Sequence, residues 1–262
     1  MRVSIRNALF LLLASAILVF ALNLHFRTNT RKTPGSVAIN SLPPVILWAW
    51  ERPEHLGFID PHKVGVAFLA QTISLRGPDV LERPRQQTLE TPAGTRLVAV
   101  VRVESDKTVR PTLDIQQATR TADKITKLMS SPSISAIQID FDATESERQF
   151  YRSLLAGLRQ RLPASVALSI TALASWCAGD DWISDLPIDE AVPMLFRMGV
   201  EKQQFKSRII SGRKFTSALC QSAAGVATDE IIAIPPVKRL YIFNSGPWSK
   251  SSFITVMEAY QK

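Results

Sequence analysis

The chain has 262 residues, of which 46% are hydrophobic and 21% charged, so its composition is that of a folded globular protein and excludes intrinsic disorder. Its formal charge of +8 is concentrated at the N-terminus, because five of the 31 Lys and Arg residues precede Glu51, the first acidic residue. The remaining chain is close to neutral. It contains no Lys/Arg block interleaved with aromatic residues, so we expect no nucleic-acid partner.

The N-terminal segment is the first predicted element. An apolar run over residues 8–24 follows Arg2 and Arg6, which predicts a signal peptide or a membrane anchor within residues 1–27. The sequence leaves open whether this segment is cleaved. In either case we expect an exported protein, anchored on the periplasmic side of the cytoplasmic membrane or secreted. Residues 28–42, rich in Thr, Asn, Ser, Gly and Pro, predict a linker.

The rest of the chain alternates short β-rich runs with helical or irregular segments. Apolar residues at helical spacing predict one helix over residues 113–128 and a second over 150–162, which ends before Pro163. The predicted strands lie at residues 45–50, 64–69, 97–103, 134–141, 166–171, 191–196, 231–234 and 240–243.

Strands that alternate with helices imply parallel pairing, and eight of them predict an α/β fold, a single (β/α)₈ TIM-barrel-like domain over residues 43–262. A doubly wound open sheet is the alternative. The Gly-rich phosphate loop typical of that fold is absent from the sequence.

The fourth predicted strand, "ISAIQIDFD", carries the most informative pattern. Its apolar and polar residues alternate, which places Gln138, Asp140 and Asp142 on one face. The sequence Thr144–Glu147 has the form of a capping box, so a helix follows at once and the strand is predicted to be buried and parallel. Two carboxylates on the inner face of such a strand are costly unless they are paired or functional.

Polar and aromatic side chains also follow the other predicted strands, and none of the five tryptophans lies in a predicted helix. In a barrel these strand ends meet at the C-terminal face, where aromatic rings beside carboxylates suit the binding of sugars. We expect Arg102 to face Asp140 on the neighbouring strand. The predicted catalytic residues are Asp140, Asp142 and Glu51, and the predicted substrate-binding residues are Trp48, Trp50, Arg102, Glu104, Trp176, Arg197, Asn244 and Trp248.

The chain has only two cysteines, Cys177 and Cys220, and three histidines. In an oxidising compartment the cysteines would form a disulfide. Two small buried thiols are the equally plausible alternative. No His or Cys occurs at metal-ligand spacing, so we expect neither a metal nor another cofactor.

The sequence from "IQIDFDATESERQFYRSLLAGLRQRLP" through "LSITALASWCAGDDW" to "DEAVPMLFRMG" resembles an uncharacterised bacterial family catalogued as domain of unknown function 3142. That resemblance implies a barrel related to glycoside hydrolases and carries no known activity. A more distant similarity is to the family 18 chitinase-like barrels, whose fourth strand ends in D-x-D-x-E. Asp140 and Asp142 match its two aspartates, whereas Thr144 stands in place of the general-acid glutamate.

Two functions remain in competition after these observations. The first is an exported glycoside-hydrolase-like barrel that acts on or binds carbohydrate, such as a cell-envelope polysaccharide, with Asp142 or Glu51 as the acid. The second is a non-catalytic glycan-binding or structural barrel, held at the membrane by the N-terminal segment, in which Thr144 reflects lost chemistry.

Overall fold

A computed structural model describes residues 34–131, 133–180, 182–199 and 215–260, together with residues 202, 203, 205, 207, 211 and 212. The predicted signal peptide or membrane anchor over residues 1–27 lies outside the described residues. Within the described part of the chain, no helix combines the length and the apolar character needed to cross a membrane.

The helices and strands follow one another in a mostly alternating order. They are α1 (Pro34–Asn40), β1 (Val45–Ala49), β2 (Glu54–His55), β3 (Val64–Arg76), β4 (Asp79–Pro84), β5 (Leu89–Glu90), β6 (Leu97–Ser105), α2 (Ile115–Thr126), β7 (Ile134–Asp140), α3 (Arg148–Arg161), β8 (Ala167–Leu173), α4 (Ala174–Ala178), β9 (Glu190–Met194), β10 (Ala223–Ala227), β11 (Arg239–Phe243) and α5 (Lys250–Tyr260).

Eight of these strands form a closed parallel barrel. The order around it is β1, β3, β6, β7, β8, β9, β10 and β11, and β11 pairs again with β1. The strand that carries Asp140 is therefore the fourth of the barrel, and the predicted α/β barrel is confirmed. Strand β4 lies outside this ring, because it runs antiparallel to the second half of β3 and extends that strand into a hairpin.

Successive side chains along each strand point alternately into and out of the barrel. One set fills the interior, and the other packs against the helices. The interior set includes Ile46, Trp48, Val100, Ala136 and Tyr241, all buried. Trp48 is fixed by polar groups inside the barrel, since its Nε1 donates to Gln138 Oε1 at 2.8 Å and Gln138 Nε2 donates to Ser169 Oγ at 3.3 Å. The larger hydrophobic core lies on the outward faces of the strands, beneath α2 and α3.

Both periodicity-predicted helices are present, as α2 and α3. Asp114 caps α2, with Oδ1 accepting from the backbone N–H of Gln117 at 2.7 Å. The predicted capping box is also present: Thr144 N and Oγ1 both donate to Glu147 Oε2 at 2.7 Å, directly before α3. These caps end the loops that follow β6 and β7, and so fix where the loops leave the barrel mouth.

The seventh barrel strand corrects the sequence prediction. The strand is Ala223–Ala227, whereas residues 231–234 have no regular structure and Ile231 is exposed. The reason lies inside the barrel. A Cβ on Gly225 would lie 2.7 Å from Trp48 Cη2, so this strand needs small residues that give little β-propensity signal.

Part of the predicted linker is also structured, because residues 34–40 form α1. Ala38 and Ile39 of this helix are buried against the N-terminal end of the barrel. There Arg239 donates from Nη2 to Ile39 O at 2.6 Å and from Nη1 to Glu190 Oε1 at 2.5 Å. This buried ion pair closes the barrel at the end opposite to the strand ends that carry the predicted site.

Candidate functional site at the barrel mouth

Two cavities adjoin at the C-terminal ends of the strands, and both are lined by Arg102, Asp140 and Asp142. The smaller has a volume of about 210 Å³ and the larger about 1050 Å³. We call them the aromatic pocket and the polar cleft. The three shared residues lie on the neighbouring strands β6 and β7 or directly after β7. The border between the two cavities is therefore formed by the ends of two barrel strands.

Asp140 forms the buried base of this border. Its Oδ1 accepts from Thr171 Oγ1 of β8 at 2.8 Å, and its Oδ2 accepts from Arg102 Nη1 of β6 at 3.2 Å. Asp140 is only 6% exposed, and burial raises the pKa of its carboxyl above the usual value, although the Thr171 hydrogen bond and the Arg102 charge act the other way. A carboxyl with a raised pKa at the base of a cavity is a common feature of catalytic sites.

Asp142 lies two residues further along the same face and is exposed, in contrast to Asp140. The two carboxyls therefore differ in environment: one is held by hydrogen bonds, and the other can reach a molecule bound in either cavity. Two acids in different environments are the arrangement in which one fold assigns distinct acid–base roles.

The aromatic pocket takes its walls from the C-terminal ends of six strands, β1, β6, β7, β8, β9 and β11. Its aromatic lining residues are Trp48, Trp50, Phe196 and Phe243. The Phe196 and Phe243 rings are parallel, with centroids 5.6 Å apart, and Trp50 meets Phe243 edge to face at 6.5 Å. The Arg102 guanidinium lies 5.9 Å from the centre of the Trp50 ring. An apolar ring surface beside two carboxyls and a guanidinium is well suited to a ligand with both CH and OH faces.

The loop that carries Trp50 is held in place by Arg85, which follows β4. Arg85 donates from Nη1 to Trp50 O and from Nη2 to Arg52 O, both at 2.5 Å. Trp48 is fixed from the other side, because Trp248 Nε1 donates to its carbonyl at 2.9 Å. The hairpin of β3 and β4 and the loop after β11 therefore both support the tryptophan wall of the pocket.

Arg197 stands at the rim of the aromatic pocket in a backbone conformation that non-glycine residues rarely adopt, with a φ of +54°. Its guanidinium lies 5.2 Å from the centre of the Phe243 ring, and its Nη2 lies 3.3 Å from Asp229 Oδ2. Glu230 accepts the Arg197 backbone N–H at 2.8 Å. The loop after β10 thus holds this strained residue against the pocket.

The structure brings together most of the predicted site. Glu104 joins the polar cleft, where its Oε1 accepts from Arg102 Nε at 2.7 Å, so Arg102 bridges two carboxyls. The predicted residues that line a cavity are Asp140, Asp142, Trp48, Trp50, Arg102, Glu104 and Arg197.

Four predicted residues line neither cavity. Glu51 forms an ion pair with Arg83 of β4. Trp176 is buried in the outer core and lies in α4, so one tryptophan does occupy a helix; its ring meets Trp182 edge to face at 4.9 Å. Trp248 is buried as well, and Asn244 accepts from Thr228 Oγ1 at 2.6 Å.

Sequence reasoning missed four residues that line the aromatic pocket: Thr171, Met194, Phe196 and Phe243. It also missed Lys107 and Arg110 of the polar cleft. Phe243 was detectable from strand phase, because it follows Arg239 and Tyr241 at a period of two and so faces inward, whereas Asn244 falls out of phase. Thr171 was detectable in the same way, from its alternation with Ala167 and Ser169 on β8. Among the described residues, no group of three His, Cys, Asp or Glu side chains is placed to hold a metal ion.

The two cysteines form a disulfide, which settles the alternative left open by the sequence. Cys177 of α4 is bonded to Cys220, with their Cα atoms 5.8 Å apart. The bond ties the segment after β8 to the segment before β10. It therefore braces the side of the barrel from which Met194 and Phe196 enter the aromatic pocket.

Fold and site together define a closed parallel α/β barrel with a candidate site in the position that enzymes of this architecture use. Comparison with known families adds one match: the family described as Domain of unknown function (DUF3142) matches residues 93–195. This region runs from β6 to β9 and includes Arg102, Asp140, Asp142 and Thr171, so the similarity covers the border between the two cavities. No curated protein matches the chain.

Proposed function

We propose that the protein is an exported glycoside-hydrolase-like barrel that binds carbohydrate in the aromatic pocket and cleaves a glycosidic bond above Asp140 and Asp142. One observation carries the proposal. Four aromatic side chains and a pair of unlike carboxyls converge on one cavity at the C-terminal face of a parallel barrel. With a volume of about 210 Å³, this cavity suits one sugar ring better than a large cofactor.

Each lining group has a chemical task in this proposal. The aromatic faces pack against the CH face of a sugar ring. Asp142, exposed at the border, acts on the glycosidic oxygen or on the attacking water. Asp140 is the second carboxyl, and its bonds to Thr171 and Arg102 fix its position. Most glycosidases need such a pair of carboxyls.

The second candidate is a barrel that binds glycan without cleaving it. Thr144, at the position of the family 18 general acid, favours this candidate. Its Oγ1 donates to Glu147 in the capping box, so the side chain serves the start of α3 and supplies no carboxyl. Glu147 itself is engaged by Thr144 N and by Ser105 Oγ.

Two features support export. The Cys177–Cys220 disulfide is typical of proteins that fold in an oxidising compartment. The apolar run over residues 8–24 behind Arg2 and Arg6 is typical of a signal peptide or anchor. We propose that the domain lies on the periplasmic side of the membrane or is secreted, and that the anchor, where retained, is its contact with the membrane.

The test is a glycan-binding array and a hydrolysis screen on the full chain, with Trp50→Ala and Asp142→Asn. Hydrolysis requires both residues, whereas the non-catalytic candidate predicts binding that Trp50→Ala weakens and no reaction in any variant. Glu258→Gln removes an acid of α5 that lines neither cavity, and it is the matched control. Wild-type protein that neither binds nor cleaves any glycan would refute both candidates.

A further inference from the structure

The polar cleft differs from the aromatic pocket in its charges. Four of its five acids already have an ion-pair or hydrogen-bond partner within the protein. Glu104 and Asp140 bind Arg102, Asp106 lies 3.5 Å from Arg76, and Glu147 is held in the capping box. Asp142, at the border with the aromatic pocket, is the exception among the acids of the cleft.

Two cations of the cleft, which do not line the aromatic pocket, lack such partners in the described part of the chain. Lys107 and Arg110 both line it and are both exposed, and neither forms an ion pair with any of the described residues. The acid without a partner therefore adjoins the aromatic pocket, and the two cations without an ion pair lie on the loop that follows β6.

That loop is fixed rather than loosely placed. Asp106 Oδ1 accepts the backbone N–H groups of Thr108 at 2.7 Å and Val109 at 2.9 Å. The turn of the β3–β4 hairpin adds two backbone bonds, Thr112 N to Gly77 O at 2.9 Å and Gly77 N to Val109 O at 3.2 Å. A loop whose backbone is already ordered loses less backbone entropy when its side chains bind a ligand.

The end of the loop also stores strain. Leu113, which lines the cleft, has a φ of +55°, and its N–H donates at 2.9 Å to Oε1 of the fully buried Gln117. A non-glycine residue in this conformation costs of order 1 kcal/mol and persists only where its surroundings enforce it. Holding this loop against the cleft therefore lowers the stability of the folded protein.

We infer that the polar cleft binds the next units of an acidic glycan, whose anionic substituents, carboxylate or phosphate, pair with Lys107 and Arg110 while a neutral ring occupies the aromatic pocket. This inference rests on the proposed function and names its substrate class. The size of the cleft, about 1050 Å³, admits several sugar units, and its continuity with the pocket at Arg102 and Asp142 lets one chain occupy both.

The experiment measures binding of the full chain to uronic-acid hexamers and to phosphorylated mannan fragments. Each probe is paired with its neutral counterpart, methyl-esterified or dephosphorylated. We expect an acidic probe to bind about tenfold or more tightly than its neutral counterpart, since charge-assisted hydrogen bonds to Lys and Arg are strong. The advantage should shrink between 0.1 and 1 M salt, as the screening length falls from roughly 10 to 3 Å.

The double variant Lys107→Ala/Arg110→Ala should abolish this preference and leave binding of the neutral probes unchanged. The matched control is Arg96→Ala/Lys238→Ala, which removes the same charge from exposed residues directly before β6 and β11, at the opposite end of the barrel. Its preference for acidic probes should equal that of the wild type.

Three results would overturn the inference. Acidic and neutral probes that bind equally well would remove the charge argument while leaving carbohydrate binding in place. If both double variants reduce the preference for acidic probes equally, the preference comes from the net charge of the protein and not from the cleft. Failure of every probe, acidic and neutral, together with an unresponsive Trp50→Ala variant, would refute the proposed function itself.

Discussion

Arg102 and Asp140 are paired in register on the neighbouring strands β6 and β7, and their side chains meet inside the barrel with Nη1 3.2 Å from Oδ2. Their environments differ. The Arg102 side chain is 39% exposed and also binds Glu104, whereas the Asp140 side chain is 7% exposed. When the Asp140 charge is removed, Arg102 keeps a second carboxylate and its access to solvent. Its guanidinium is therefore not left buried without a partner.

The first prediction concerns the pH dependence of stability. Burial raises the pKa of Asp140 in the folded protein, so its ionisation opposes folding. Its contribution to stability is fully present below the unfolded pKa and is lost as the pH rises through the folded pKa. Compared with Asp140→Asn, the wild type should therefore lose relative stability between pH 3.5 and pH 7. Urea unfolding of both proteins across this range measures the difference, and the opposite slope would show that Arg102 outweighs burial.

Much of the barrel follows from local sequence, because strand and helix periodicities do not depend on distant residues. The alternation of Gln138, Asp140 and Asp142 placed β7 and its inward face, and the stripes of α2 and α3 placed both helices. Side-chain alternation on β6 and β7 also predicted that Arg102 faces Asp140. These are properties of single elements, and the closed parallel order then follows from their alternation.

Other features depend on tertiary contacts that no local pattern contains. Strand β10 has small residues because the indole of Trp48 occupies the space opposite Gly225. The tryptophans that line the pocket differ from the others in their position along the chain. Trp48 and Trp50 follow the side-chain alternation of β1. Trp176 and Trp248 lie beyond strand ends, where this alternation no longer predicts which way a side chain points. The sequence could therefore nominate all of them but could not select the two that line the pocket.

The second prediction tests the link between β10 and the aromatic pocket. Gly225→Ala places a methyl group 2.7 Å from Trp48 Cη2, so the indole or the strand must move. Overpacking of this kind costs about 1–3 kcal/mol, and displacement of Trp48 weakens its bond to Gln138 and alters the pocket wall. The variant should unfold at a lower temperature than the wild type and should bind glycan more weakly. Gly57→Ala is the control, since no atom lies within 4 Å of its added Cβ, and an equal loss in that variant would contradict the steric argument.

The third prediction concerns the disulfide. Cys177 and Cys220 are 43 residues apart in sequence, and closing a loop of this length in the unfolded chain corresponds to about 4 kcal/mol of stability. Reductant should lower the midpoint of urea unfolding in the wild type. The Cys177→Ala/Cys220→Ala variant should start at the lower midpoint and show no further response. A wild type insensitive to reductant under conditions that release two thiols would contradict this estimate.

The last prediction separates stability from function by acting at the opposite end of the barrel. Glu190 and Arg239 are 1% and 5% exposed, and their ion pair is reinforced by Tyr241 and by the carbonyls of Ile39 and Pro43. Burial raises the pKa of Glu190 despite the charge of Arg239, so the ionised carboxylate depends on this partner. Glu190→Gln keeps the shape of the side chain and leaves a buried guanidinium unmatched.

Loss of one member of a buried ion pair costs about 3–5 kcal/mol, so Glu190→Gln should unfold at a much lower urea concentration than the wild type. The control is Asp123→Asn, which breaks the exposed pair between Arg161 and Asp123 and should cost at most about 1 kcal/mol. At temperatures where Glu190→Gln remains folded, its glycan binding should equal that of the wild type, because the pair contacts neither cavity. Lost binding with unchanged stability would instead show that the base of the barrel controls the mouth.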